Sequence, residues 1–74
     1  MSLSKEERLK VVEEFVAAVN EVDHKGVLPT FASMRVCRMT GVNTKMISRD
    51  LSQLTECGRL VLKDGLLWHK DLIK

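Results

Sequence analysis

The chain has 74 residues, of which 45% are hydrophobic and 30% charged, so it can form one domain with a small core. No apolar run approaches the roughly 20 residues of a membrane span, and the sequence opens on a charged segment, so we expect a cytoplasmic protein without membrane anchor or signal peptide. Two cysteines without paired spacing predict no disulfide framework and, with His24 and His69, no metal site. No cofactor is expected.

The net charge of +2 is unevenly distributed along the chain. Residues 1–25 contain four Lys/Arg and six Asp/Glu, whereas residues 26–74 contain eight and four. The segment from Thr30 to Arg49 contains cations and no acid. Single cations are usually solvated surface, but a basic block is typical of a surface that binds nucleic-acid phosphates.

The first predicted helix begins at a capping box, with Ser4 at the N-cap and Glu7 three residues later. It should end near Asp23, with Gly26 just past its end. Its apolar residues form two stripes at helical spacing. One consists of Leu9, Val12, Val16 and Val19; the other consists of Val11, Phe15, Ala18 and Val22. This arc is wider than one core contact needs. Either the helix is buried on both stripes, or the second stripe is a homodimer surface.

A short strand is predicted at residues 27–28, because Pro29 cannot donate to a sheet and should end it. Thr30 is then a suitable N-cap for a second helix that runs to about Met39. Three internal methionines lie at helical positions where we expect them to fill the core. They are Met34, Met39 and Met46.

A tight turn and a third helix follow. Gly41 supplies the positive φ that a sharp turn needs, and Asn43 is a good N-cap. Three residues at helical spacing should face the core: Ile47, Leu51 and Leu54. The opposite face carries Lys45, Ser48, Arg49, Ser52 and Gln53. Asp50 is expected near the core side, where it orients an arginine of the second helix or of the turn.

The sequence pattern of residues 59–69 predicts a β-hairpin. Strand-like runs at residues 59–62 and 66–69 flank an Asp64-Gly65 turn. Lys63 is the only cation near its tip. Trp68 either packs on the core end of the sheet or stacks on a base or sugar.

The segment Thr40-Gly41-Val42, followed by residues 46–51, resembles the turn and recognition helix of a winged helix-turn-helix. Residues 47–61 are similar to the DeoR-type repressors, whose members read Ile-Arg-Arg-Asp-Leu and then Gly-Leu-Leu or Gly-Arg-Leu. The resemblance covers about residues 30–68 and departs at Cys37, where Ala is usual.

We therefore predict an α+β fold, mainly α, in the order α1-β1-α2-α3-β2-β3: a three-helix bundle with a small antiparallel wing. Residues 1–74 form one domain, with the helix-turn-helix at about 30–57 and the wing at about 59–69.

The resemblance implies sequence-specific binding of double-stranded DNA by a small transcriptional regulator, with the third helix in the major groove. Arg49 can donate to guanine and Gln53 can pair with adenine. The expected phosphate contacts come from Arg35, Arg38, Thr44 and Lys63. The remaining candidates on the third helix are Lys45, Ser48 and Ser52.

Other functions stay open. The modest net charge and the acidic first helix also fit a protein-protein interaction module without DNA binding. The spacing of Lys45, Arg49 and Trp68 is similar to that of winged helices that bind Z-form DNA, but the key Asn and Tyr of that family correspond to Ser48 and Ser52. An enzyme is not expected, because the sequence has no glycine-rich phosphate loop, nucleophile elbow or paired metal-ligand motif.

Overall fold

The first helix begins where its capping box predicts. In the computed structural model, which describes residues 3–73, α1 spans Lys5–Asp23. The Glu7 N–H donates to the Ser4 hydroxyl at 3.2 Å, and the Ser4 N–H donates to the Glu7 carboxylate at 3.0 Å. The pKa of Glu7 is lowered below its ordinary value, chiefly by the hydrogen bond with the Ser4 backbone and secondly by the one with the Ser4 side chain. The capping box is therefore confirmed.

Two more helices and an antiparallel hairpin complete the fold. They are α2 (Pro29–Thr40), α3 (Thr44–Glu56), β1 (Leu60–Lys63) and β2 (Leu66–His69). The hairpin turn has φ of 54° at Asp64 and 78° at Gly65, the conformation of a type I′ turn. This mainly α arrangement is compatible with a winged helix. Among the described residues, no helix has the length and apolar character needed to cross a membrane.

The predicted strand at residues 27–28, and with it the predicted element order, is wrong. The order is α1-α2-α3-β1-β2. Val27 forms only an isolated bridge: its N–H donates to the Leu67 carbonyl at 2.9 Å, and the Leu67 N–H donates back at 2.7 Å. The pairing stops there because Pro29, whose fixed φ suits the first turn of a helix, already starts α2 with Leu28 as N-cap. Thr30 is therefore inside the helix.

The first helix ends at Asp23, as predicted, but its C-terminal cap differs from the prediction. His24, not a glycine, adopts the left-handed conformation at the C-cap, with φ of 55°. Gly26 is buried, and a Cβ on it would lie 2.5 Å from the Leu66 Cβ and 2.8 Å from the Trp68 indole nitrogen. The sequence therefore needs glycine at this position for close packing against β2 rather than for turning the chain.

The core lies between the three helices and one face of the hairpin. Its fully or nearly fully buried residues are Val12, Val16, Val27, Ala32, Val36, Ile47, Leu51, Leu54, Leu60 and Leu67. Trp68 is 8% exposed, so the interpretation that it packs on the core is confirmed. The methionine prediction is wrong: Met34, Met39 and Met46 are 55%, 59% and 42% exposed.

One buried polar residue joins α1 to the hairpin. Asn20 is 1% exposed, and its amide nitrogen donates to the carbonyls of Lys25 at 2.9 Å and Leu67 at 3.3 Å. Its amide oxygen accepts the His69 N–H at 2.7 Å. Because a buried amide is unfavourable without partners, these bonds favour one position of β2 against α1.

Gly41 provides the first test. It is the C-cap of α2 with φ of 76°, and no atom lies within 4 Å of the place where a Cβ would be. Any loss of stability when Gly41 is replaced therefore comes from the strained backbone conformation and not from a steric clash. Gly41→Val should lower the free energy of unfolding by about 1–3 kcal/mol, and Gly41→Asn by less, because Asn tolerates positive φ. Denaturant unfolding measures both, and an unchanged midpoint for Gly41→Val would contradict this backbone conformation.

Candidate nucleic-acid interface

The third helix is held against the core by one apolar face. Its N-cap is confirmed, since the Asn43 side-chain oxygen accepts the Lys45 N–H at 2.7 Å. Ile47, Leu51 and Leu54 are all buried, as predicted. This contact leaves the opposite side of α3 in solvent.

An ion pair between helices also fixes the orientation of α3. The Arg8 Nε donates to one Asp50 carboxylate oxygen at 2.5 Å, and its terminal nitrogen donates to the other at 3.2 Å. The two side chains are 12% and 3% exposed. The partner of Asp50 is therefore an arginine of α1, and the prediction of an arginine in α2 or the turn is wrong. The hydrogen bond to Asp50 raises the pKa of Arg8 above its ordinary value, so the guanidinium stays charged.

The outer face of α3 is formed by Lys45, Arg49 and Ser52. At 100° per residue, these positions lie opposite the buried face, and all three residues are exposed. Asp50 is turned inward and neutralised by Arg8, so the first two turns of this face carry positive charge without an exposed acid. Glu56, also exposed, is one turn beyond Ser52 and ends the cationic part.

Two of the predicted residues flank this face on the hairpin side. Thr44 and Ser48 line a groove of about 690 Å³ between the start of α2, α3 and the hairpin. The Ser48 hydroxyl lies 3.3 Å from that of Ser33 in α2. Gln53 is exposed on the other flank, in a groove that it shares with α1 and Arg59. These polar groups therefore border the outer face on both sides.

The remaining predicted cations lie on other elements. Arg38 is exposed on α2, and Lys63 is exposed at the end of β1 next to the hairpin turn. Arg35 lies over the Phe31 ring, 6.0 Å from its centroid, in a groove between α1 and α2. It is two positions from Ser33, hence on the opposite side of α2 from the contact with α3. The structure does not bring Arg35 together with the outer face of α3.

Two positioning residues were missed in the sequence, Arg8 and Asn20. Arg8 is 42 positions from Asp50, so no local pattern relates them. Asn20 did leave a signal: it follows Val12 and Val16 at four-residue spacing, which places an amide on the buried stripe. Within residues 3–73, no group of three or more His, Cys, Asp or Glu could hold a metal ion.

Comparison with protein-family models, curated proteins and solved structures finds no significant match to the chain.

The Arg8–Asp50 pair provides the second test. Asp50→Leu leaves a largely buried guanidinium without its carboxylate, so it should lower the free energy of unfolding by roughly 3 kcal/mol or more. The double variant, Arg8→Met with Asp50→Leu, removes both charges. Its loss of unfolding free energy should therefore be clearly smaller than the sum of the losses of the two single variants. Denaturant unfolding of the four proteins in this cycle measures the coupling. Strictly additive losses would mean that the two side chains are not coupled in the folded protein.

Proposed function

We propose that the chain binds double-stranded DNA sequence-specifically, as a small transcriptional regulator that inserts α3 into the major groove. The observation that carries this proposal is the outer face of α3, where Lys45 and Arg49 are exposed and Asp50 is turned into the ion pair with Arg8. An exposed helix face with cations and without nearby acid is attracted to phosphate and can reach base edges.

The distribution of charge along α3 supports the direction of insertion. Helix-turn-helix proteins contact bases mainly with the N-terminal part of the recognition helix. In α3 the cations Lys45 and Arg49 lie in the first two turns, whereas Glu56 lies at the C-terminal end. If that end points out of the groove, Glu56 is far from the phosphates and is repelled least. Arg49 can donate two hydrogen bonds to guanine, and Ser52 can donate to a base or to phosphate.

Neighbouring polar groups supply the positioning contacts in this proposal. Thr44 and Ser48, on the hairpin side of α3, can donate hydroxyl hydrogen bonds to one DNA strand. Gln53 borders the other flank. Arg38 and Lys63 are exposed cations on α2 and at the hairpin tip, where they can contact phosphates on either side of the groove. The three helices and the hairpin, together with the resemblance to DeoR-type repressors, support a winged-helix mode of binding.

A protein-protein interaction module without DNA binding is the second candidate function. The observation in its favour is exposed apolar surface away from α3, chiefly Val22, Leu28 and Phe31, which are 75%, 59% and 48% exposed. Large exposed apolar groups that lie close together often mark a protein contact. The two candidates differ in salt dependence, because counterion release makes DNA binding fall steeply with salt and an apolar contact does not.

Replacing the outer-face cations tests the proposal. Arg49→Ala should leave the melting temperature near that of the wild type, because Ala is a better helix former, while weakening specific DNA binding by about 1–3 kcal/mol. If Arg49 contacts a base, the preference at that one position should relax. Lys45→Ala should weaken binding to every duplex and reduce the salt slope by about one. Titration of selected and scrambled duplexes at several salt concentrations measures these effects.

Lys70→Ala is the matched control. Lys70 is an exposed lysine just after β2, at the open end of the hairpin and away from the first two turns of α3, so its removal should change DNA affinity little. Equal losses for Lys70→Ala and Lys45→Ala would indicate a response to net charge alone. If Arg49→Ala binds both duplexes as tightly as the wild type, α3 is not the recognition helix and the protein-interaction function is the better explanation.

A further inference from the structure

An apolar groove lies between α1 and α2. It has a volume of about 520 Å³, and its apolar lining comes from Phe15, Val19, Leu28, Phe31 and Leu66, together with Val27. The rings of Phe15 and Phe31 meet across it, with centroids 6.4 Å apart. Leu28 and Phe31 are about half exposed, so a substantial part of this lining is in contact with water.

The apolar surface continues from the groove along α1. Of the predicted second stripe, Val11 and Phe15 are half-buried against the core, whereas Ala18 and Val22 are exposed. The stripe is thus neither wholly core nor wholly free surface. Its exposed half and the α1–α2 groove form one continuous apolar strip, which we call the α1–α2 strip.

The two edges of the strip carry opposite charge. Glu14 and Glu21 are exposed on α1 at seven-residue spacing, which places them on one helix edge beyond Ala18. Lys10 is exposed on the same edge one turn before Glu14, and both residues also border the groove on the other side of α1. On the far side of the groove, its lining includes Arg35 of α2 and Lys25 of the loop, with Asp23 at the end of α1 as the one acid among the lining residues. Beside Ala18 and Val22 the strip therefore runs between a mainly acidic edge and a mainly basic edge.

We propose that the α1–α2 strip is the interface of a homodimer. In a two-fold symmetric dimer the same patch meets itself, so the patch must be complementary to itself. Rotation about an axis along the strip places the acidic edge of one copy against the basic edge of the other, on both sides of the axis. An axis across the strip would instead set glutamates against glutamates. The charge pattern thus selects both a second copy as partner and the direction of its two-fold axis.

The ring contacts also select the charged pair. Arg35 lies over Phe31, Phe31 meets Phe15, and Glu14 directly precedes Phe15 in α1. From this chain of contacts we infer that Arg35 and Glu14 lie at similar heights along the strip. With the axis along the strip, Arg35 of each copy faces Glu14 of the other, giving two symmetric ion pairs at the rim of an apolar contact. The outer face of α3 stays free, because the strip lies on the opposite side of α2 from Ser33.

A charge-exchange experiment tests this dimer. Sedimentation of the wild type should show concentration-dependent dimers in the micromolar range. Arg35→Glu and Glu14→Arg should each weaken self-association by about tenfold or more, because each single variant sets like charges against each other twice. Mixing the two variants should restore association, since both pairs in the mixed dimer are complementary. The doubly exchanged chain, with Arg35→Glu and Glu14→Arg together, should also dimerise.

A second pair of variants separates the strip from the rest of the surface. Val22→Glu places a charge on the exposed end of the strip and should abolish dimers without unfolding the chain, because Val22 is 75% exposed. Leu62→Glu is the matched control: Leu62 is 53% exposed on the hairpin, outside the strip, and its variant should dimerise like the wild type. A wild type that stays monomeric at high micromolar concentration overturns the proposal. So does a mixture of the single variants that associates no better than either variant does alone.

Discussion

The orientation of α3 depends on the ion pair between Arg8 and Asp50. Apolar contacts hold the helix against the core but tolerate some rotation about its axis, whereas two hydrogen bonds from one guanidinium to one carboxylate fix both direction and depth. The pair also removes the only acid from the first turns of the exposed helix surface. Because burying two charges contributes little net stability, we infer that the pair acts mainly by favouring one orientation of α3 over its alternatives.

Two surfaces of different character follow from this packing, on opposite sides of α2. The outer face of α3 is cationic and polar, and it suits a phosphate-rich ligand. The α1–α2 strip is apolar with oppositely charged edges, and it suits a second copy. A dimer through that strip keeps both α3 helices accessible, so the two proposals are compatible, and paired recognition helices are the usual reason that operators are palindromic. Asn20 supports the arrangement by fixing β2 to the end of α1.

Features of the fold that depend on nearby residues could be predicted from the sequence. The capping box at Ser4, the turn at Gly41 and the apolar spacing of α3 each involve groups only a few residues apart. Features that depend on distant contacts could not. Val27 forms one bridge instead of a strand because α2 starts so soon after it, and Gly26 is needed because β2 packs against it. For the candidate site, the exposure of Lys45, Arg49 and Ser52 could be predicted from helical spacing. The position of Arg35 in the α1–α2 groove could not, because position along α2 does not tell which groove a side chain enters.

The most direct test of α3 as the recognition surface is an amide NMR titration of the isotope-labelled chain with a random-sequence duplex at low salt. Binding through the outer face predicts that the largest shift changes occur at Lys45, Arg49 and Ser52, with smaller ones at the hairpin turn, and that they disappear as salt is raised. The amides of Phe15 and Phe31 should not respond. Largest changes in the α1–α2 strip, or a spectrum that does not change with excess duplex, would contradict DNA recognition by α3.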